Sequence, residues 1–200
     1  MLKLKQISKK FKNNVVIDKL ELTVKSGECI YIHGKNGCGK STLFKIICDI
    51  LKADAGDIEI DENVYIGSLI ENPGFIENET LYFNLKFLAS FKKNYNEKKI
   101  GELCKSFSLD LYDKTAMKDY SVGMKQKAGI IQAVMENQNL ILFDEPTRGL
   151  DEEAILVFTN IVNRLVEEEN KSVIIASHDL LDSIHYTKFY HMRDGKLELE

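Results

Sequence analysis

Tryptophan is absent from this 200-residue chain, and proline occurs only twice, at Pro73 and Pro146. Without repeats, low-complexity tracts or a proline-rich linker, the chain is expected to fold as one unit with ample length to bury a core. Long apolar runs are lacking as well. None reaches the roughly 18 residues of a membrane-spanning helix, and Met1-Leu2-Lys3-Leu4-Lys5 has no apolar segment of the secretory kind. Cysteine is sparse: Cys29, Cys38, Cys48 and Cys104 form no C-x-x-C pair, and no histidine stands at metal-ligand spacing from them, so a zinc site is not expected. They read as reduced thiols that pack as small apolar residues. An excess of positive charge is missing too: 27 Lys and Arg face 31 Asp and Glu, for a net charge of -4. That balance gives no basis for non-specific nucleic-acid binding.

The pattern of apolar residues supplies the elements. Leu2 to Ile7 and Val15 to Val24 read as strands, and Cys29 to His33 is a short apolar strand running into Gly34. Lys40 to Leu51 reads as a helix with Leu43, Phe44, Ile47 and Ile50 on one face. Short strands return between Asp57 and Leu69, closed by the Asn72-Pro73-Gly74 turn. Thr80 caps a helix carrying Leu81, Leu85 and Leu88, Glu97 to Phe107 is a second, and Ser121 to Met135 a third. Strands at Leu140–Phe143 and Ser172–Ala176 flank a helix over Asp151–Glu169, and Asp194-Gly195 turns a final hairpin. The expected fold is α/β: a mainly parallel sheet buried on both faces, an antiparallel N-terminal β edge, and helices inserted in the middle.

Gly34-Lys35-Asn36-Gly37-Cys38-Gly39-Lys40-Ser41 fits G-x-x-x-x-G-K-[ST], the Walker A loop, between the required strand and helix. Its backbone N–H groups and the helix N-terminus converge on phosphate oxygens. Lys40 is expected at the terminal phosphates and Ser41 on Mg²⁺, with Gly34, Asn36, Gly37, Cys38, Gly39 and Thr42 completing the cradle. Cys38, near a helix N-terminus and Lys40, is the thiol expected to react first. Leu140 to Glu145 is an apolar strand that ends on two carboxylates. Such a pair also fits a helix cap. Next to a Walker A loop it reads as Walker B, with Asp144 holding Mg²⁺ and Glu145 polarising the attacking water. No Asn-Lys-x-Asp segment for guanine recognition occurs, which favours ATP.

Five segments in order resemble the ABC transporter ATP-binding subunits, over essentially the whole chain. Ser121-Val122-Gly123-Met124-Lys125-Gln126 resembles their signature motif in a variant form, and Leu140 to Thr147 is similar to their extended Walker B. Gly149-Leu150-Asp151 resembles the D-loop, and Ser177-His178-Asp179 the switch histidine. Phe11 stands where the family places an aromatic that stacks on adenine, although a lone aromatic also fits the core. Ser121 also fits a plain helix cap, and His178 a strand end. His33, His185 and His191 belong to no motif and read as structural or surface residues.

The resemblance implies an ATPase core of residues 1–71 and 139–200 and a helical subdomain of residues 72–138. It implies a pair of cassettes, identical or not, in which Ser121 and Gly123 touch the γ-phosphate of ATP held by the partner. Glu145 would be the base and His178 would contact the γ-phosphate. It implies membrane-spanning permease subunits and a peripheral place at the cytoplasmic face of the cell membrane. Where the family has a glutamine, this chain has Glu71, a further oxygen for Mg²⁺. Leu69-Ile70-Glu71-Asn72-Pro73-Gly74-Phe75, with the variant signature, resembles the branch for export of, or immunity to, lantibiotic and bacitracin-type peptides. A soluble cassette acting on ribosomes or DNA is the alternative. The zinc or coiled-coil insertions and tandem cassettes of that class are absent from the sequence.

Overall fold

The computed structural model describes all 200 residues. Five strands run parallel in one sheet: β3 (Cys29–His33), β5 (Ile66–Leu69), β6 (Leu140–Asp144), β7 (Ser172–Ala176) and β8 (Lys188–Arg193). With β9 (Lys196–Leu199) the order is β5-β6-β7-β3-β8-β9, and β9 closes the sheet as an antiparallel hairpin partner of β8. The antiparallel part is a sheet of its own, in the order β2-β1-β4, built from β1 (Leu2–Phe11), β2 (Asn14–Val24) and β4 (Ala55–Ile60).

The apolar strands are continuous because both of their faces are covered. In β3, β6 and β7 the residues Ile30, Ile32, Leu140, Leu142 and Ile174 point into a core shared with α1 (Lys40–Ile47) and the antiparallel sheet. Their neighbours Cys29, Tyr31, Ile141, Phe143 and Ile175 point the other way. There they meet α2 (Leu81–Ser90), α3 (Glu97–Ser106), α4 (Val122–Val134) and α5 (Glu152–Glu167). Period-2 alternation along a strand thus serves two cores rather than one core and solvent.

Caps fix the helix starts. Thr80, Ser121 and Asp151 each accept a hydrogen bond from a first-turn N–H, at 3.2, 3.2 and 2.8 Å. Most boundaries fall within about two residues of the sequence reading, and a few differ by more. The first helix ends at Ile47 instead of Leu51, because Asp49 turns into the left-handed region at φ 57°. Ile50 consequently leaves the apolar face and lies exposed. No helix is long and apolar enough to cross a membrane.

Candidate nucleotide site

Parallel α/β sheets place ligand sites at the carboxyl ends of their strands. Here three of those ends converge. The loop after β3 carries residues 34–39, β6 ends at Asp144, and the neighbouring β5 leads to Glu71, with Leu69 opposite Phe143 in register. A cleft of about 360 Å³ opens there, and no hydrophobic side chain lines it. Asn36, Gly37, Gly39, Lys40, Ser41 and Thr42 line one side, and Glu71, Asp144 and Glu145 the other.

The loop is held tightly against the sheet. A Cβ on Gly34 would lie 2.3 Å from the Met192 carbonyl oxygen, so only glycine fits there. Helix α1 starts after Gly39 with no side-chain cap, which leaves first-turn N–H groups free for an anion. Lys40 is buried, with 6% exposure, and its Nζ donates to the Gly34 carbonyl at 2.7 Å. No carboxylate forms an ion pair with it. A buried ammonium with one carbonyl acceptor has donors to spare for phosphate oxygens.

Asp144 is also buried. Burial pushes its carboxyl above the ordinary range, and the charge of Glu145 adds to this, against hydrogen bonds from Ser41 and the Glu71 backbone N–H. The Ser41 hydroxyl and Asp144 carboxylate form a compact pair of hard oxygen donors, the chemistry that Mg²⁺ selects.

Glu145 directly follows the strand at φ 47°, a left-handed conformation unusual for a side chain of its kind. Its N–H donates to Ala176 at 2.8 Å, and Ser177 Oγ donates to its Oε2 at 3.0 Å. Oε1 is buried without a hydrogen-bond partner, and His178 Nε2 stands 3.5 Å away. The same histidine nitrogen reaches Asn36 Oδ1 in the phosphate loop. The Tyr31 hydroxyl, pushed up to about 12 chiefly by burial, stays protonated and donates to the Ser177 carbonyl at 3.1 Å, steadying the segment before His178.

Glu71 borders the cleft, also at positive φ (55°), but its carboxylate is half-exposed and ion-paired to Lys45 at 2.7 Å. Cys38 lines an adjoining cavity with Val15 and Val16. Phe11 does not join the core. It is 47% exposed, at the end of β1, and the Lys9 ammonium lies 5.7 Å from its ring centre. Ser121 and Gly123 do not line the cleft. Ser121 caps α4, and a Cβ on Gly123 would come within 2.4 Å of the Gly149 carbonyl oxygen, so the two glycine segments pack backbone to backbone.

The sequence reading gave no role to two residues here. Arg148 lines the cleft as a second cation, and its only sequence signal was its place between the Walker B extension, which ends at Thr147, and Gly149-Leu150-Asp151. Gln126 is buried in α4 and donates from Nε2 to the carbonyls of Glu145 and Pro146, both at 3.0 Å.

Comparison with known proteins agrees with this geometry. The ABC transporter family model matches residues 17–148. The bacitracin transport ATP-binding protein BcrA of Bacillus licheniformis is 32% identical over 194 residues, covering 90% of this chain and 62% of BcrA. The lantibiotic transport ATP-binding protein SrtF of Streptococcus pyogenes is 29% identical over 208 residues, covering 100% of this chain and 90% of SrtF. Several relatives are longer proteins: the chain spans 61% of YdbJ of Bacillus subtilis, to which it is 31% identical over 188 residues, 89% of its own length. Among solved structures, the dimeric bacterial ABC transporter cassette MJ0796 superposes with a TM-score of 0.88 at 25% identity, covering 99% of this chain and 97% of that one. With its phosphate loop, paired carboxylates and matching family model, the chain belongs to the ABC transporter family as one of its ATP-binding domains.

Proposed function

We propose that the chain binds Mg²⁺-ATP in the cleft at the carboxyl ends of β3, β5 and β6 and hydrolyses it to power a membrane transport system. The observation that carries this reading is Lys40: a buried cation with no carboxylate partner, within a loop whose helix-end N–H groups are uncapped. ATP supplies the anion both features lack. Ser41 and Asp144 would hold Mg²⁺, and Glu71 would reach it after leaving Lys45. When bound, the cation would neutralise phosphate charge.

The protein's own residues then divide the work. Lys40 moves from the Gly34 carbonyl to the terminal phosphates. Glu145 Oε1, a buried acceptor without a partner, takes the hydrogen of the attacking water as general base. His178, tied to both Asn36 and Glu145, orients toward the γ-phosphate. Phe11, exposed at the end of β1, would offer a face to the base. Ser121 and Gly123 lie outside the cleft of their own chain, which fits their use on ATP held by a second cassette. That the MJ0796 cassette forms a dimer supports this arrangement.

The membrane partner meets the helical segment of residues 72–138, which acts as a subdomain against the core of residues 1–71 and 139–200. Phe83 and Phe87 on α2 and Phe91 at its C-cap stand exposed at helical spacing, and Ile76 is exposed as well. An apolar stripe of this kind suits a permease helix at the inner face of the cell membrane. BcrA and SrtF carry bacitracin and lantibiotic transport in their names, and antimicrobial peptides are the proposed cargo.

The test is Mg²⁺-dependent ATP hydrolysis by the purified chain, beside Lys40→Ala. The expected result is turnover by the wild type and loss of both ATP binding and turnover in the variant. Hydrolysis that survives Lys40→Ala, or a wild type that binds no ATP, contradicts the proposal.

A further inference from the structure

The parallel pairing of β3 with β8 sets His33 opposite His191 in register. Their imidazoles stack face to face, with 4.5 Å between ring centres and 5° between planes. Tyr31 extends the stack on the far side of the ring system, 5.9 Å from His33 at 11°. Glu200, just past β9, brings Oε1 to 3.0 Å from His33 Nε2. A ligand atom from each of the three residues lies within 4.8 Å of the other two. None of them lines the cleft that holds Lys40 and Glu145, so the nucleotide chemistry does not account for the cluster.

We propose that His33, His191 and Glu200 form a site for a divalent late transition metal of the Zn²⁺ type. Two imidazoles and one carboxylate are the donor set that Zn²⁺ takes in three-ligand sites, leaving a fourth position for water. Tetrahedral geometry with bonds of about 2.0–2.1 Å needs ligand atoms about 3.3 Å apart. Coordination requires the two parallel imidazoles to turn out of their stack so that their in-plane lone pairs converge, and the half-exposed Glu200 side chain to swing inward. The two histidines are held by backbone pairing in the sheet, so much of the ordering cost is met by the fold itself. His33 and His191 are partly accessible, which gives an ion a path in.

The position links this site to the phosphate loop. His33 immediately precedes Gly34, and His191 lines the cavity that also contains Lys35 and Cys38. A bound ion would clamp β3, which leads into the loop, to β8 and to the end of the β9 hairpin. Sequence spacing could not show this cluster, because its members stand far apart in the chain and are joined only by strand order.

The experiment is a Co²⁺ titration of tag-free, full-length protein, followed by visible absorption and then by displacement with Zn²⁺. The expected result is one equivalent of Co²⁺ with the intense visible bands of tetrahedral coordination, bleached by Zn²⁺. Zn²⁺ alone should also raise the melting temperature. His33→Asn and His191→Asn should each remove the bands, and Glu200→Gln should weaken binding at least as much as the roughly 10–100-fold typical of losing an outer-shell partner. Absence of tetrahedral bands in the wild type overturns the proposal without recourse to any variant. Bands that persist in folded His33→Asn and His191→Asn, or a strong near-ultraviolet thiolate band placing the ion on Cys38, overturn it as well.

Discussion

Gln126 on α4 and Glu145 after β6 are joined by a partly buried hydrogen bond: Nε2 donates to the Glu145 carbonyl at 3.0 Å and shares itself with the Pro146 carbonyl at the same distance. The helix that opens with Ser121 and Gly123 is thereby tied within one chain to the backbone of the proposed base, which sits in a left-handed conformation. Gln126→Ala would strip the donor from these carbonyls, at a cost of about 1–3 kcal/mol. Thermal unfolding should show a fall of about 2–10 °C. The ATP turnover rate should drop while the affinity for ATP changes little. A variant that melts and turns over like the wild type removes Gln126 from the account.

Asp144 costs the nucleotide-free fold stability at neutral pH. Burial raises its carboxyl above the unfolded value. A raised carboxyl contributes stability at low pH and loses it as pH climbs through the folded value. At neutral pH, therefore, Asp144→Asn should melt higher than the wild type without nucleotide, and the gap should close on acidification. With Mg²⁺-ATP at 100 times its dissociation constant the wild type should gain about 2.7 kcal/mol, or about 5–10 °C, and the variant much less. Calorimetry at two pH values, with and without Mg²⁺-ATP, checks both signs.

The four thiols should separate by reactivity. Burial pushes Cys29 and Cys104 up to about 12, and it also raises Cys48. Cys38 sits partly exposed in the phosphate loop. Maleimide should modify Cys38 first, and Mg²⁺-ATP should slow that reaction several-fold by covering the loop. Peptide mapping showing another cysteine ahead of Cys38, or equal rates with and without nucleotide, would count against the placement of the phosphates.

Glu71 borders the cleft, and its carboxylate is engaged by Lys45. An exposed ion pair of this kind contributes at most about 1 kcal/mol, so stability should hardly register its loss. Glu71→Ala should keep substantial basal ATPase but lose most transport in cells that contain the permease. Glu71→Gln should retain more of both. If both variants behave like the wild type in cells, Glu71 is a surface acid and nothing more.

Much of the site could be read from local sequence. The phosphate loop declared itself by spacing, and β3, β6 and β7 by unbroken apolar runs, since strands buried on both faces need no polar alternation. Thr80 and Ser121 were legible as caps because capping depends on neighbours three residues away. What depended on strand order or on one backbone angle was not. The end of α1 turned on Asp49 adopting positive φ, and the pairing of β4 with β1 on the register between segments some fifty residues apart. The Lys45–Glu71 pair, the Gln126 clamp and the His33–His191 stack all join residues that only the folded sheet brings together.

The central claim is that Glu145 takes the proton of the attacking water in a cleft that binds ATP without it. Single-turnover hydrolysis by Glu145→Gln, run beside gel filtration with Mg²⁺-ATP, tests this most directly. Glutamine keeps the shape but cannot act as a base, so the rate should fall roughly 10²–10⁴-fold while ATP binding persists. The unhydrolysed nucleotide should then trap the chain as a dimer. A variant that stays monomeric and hydrolyses ATP at the wild-type rate would contradict the account.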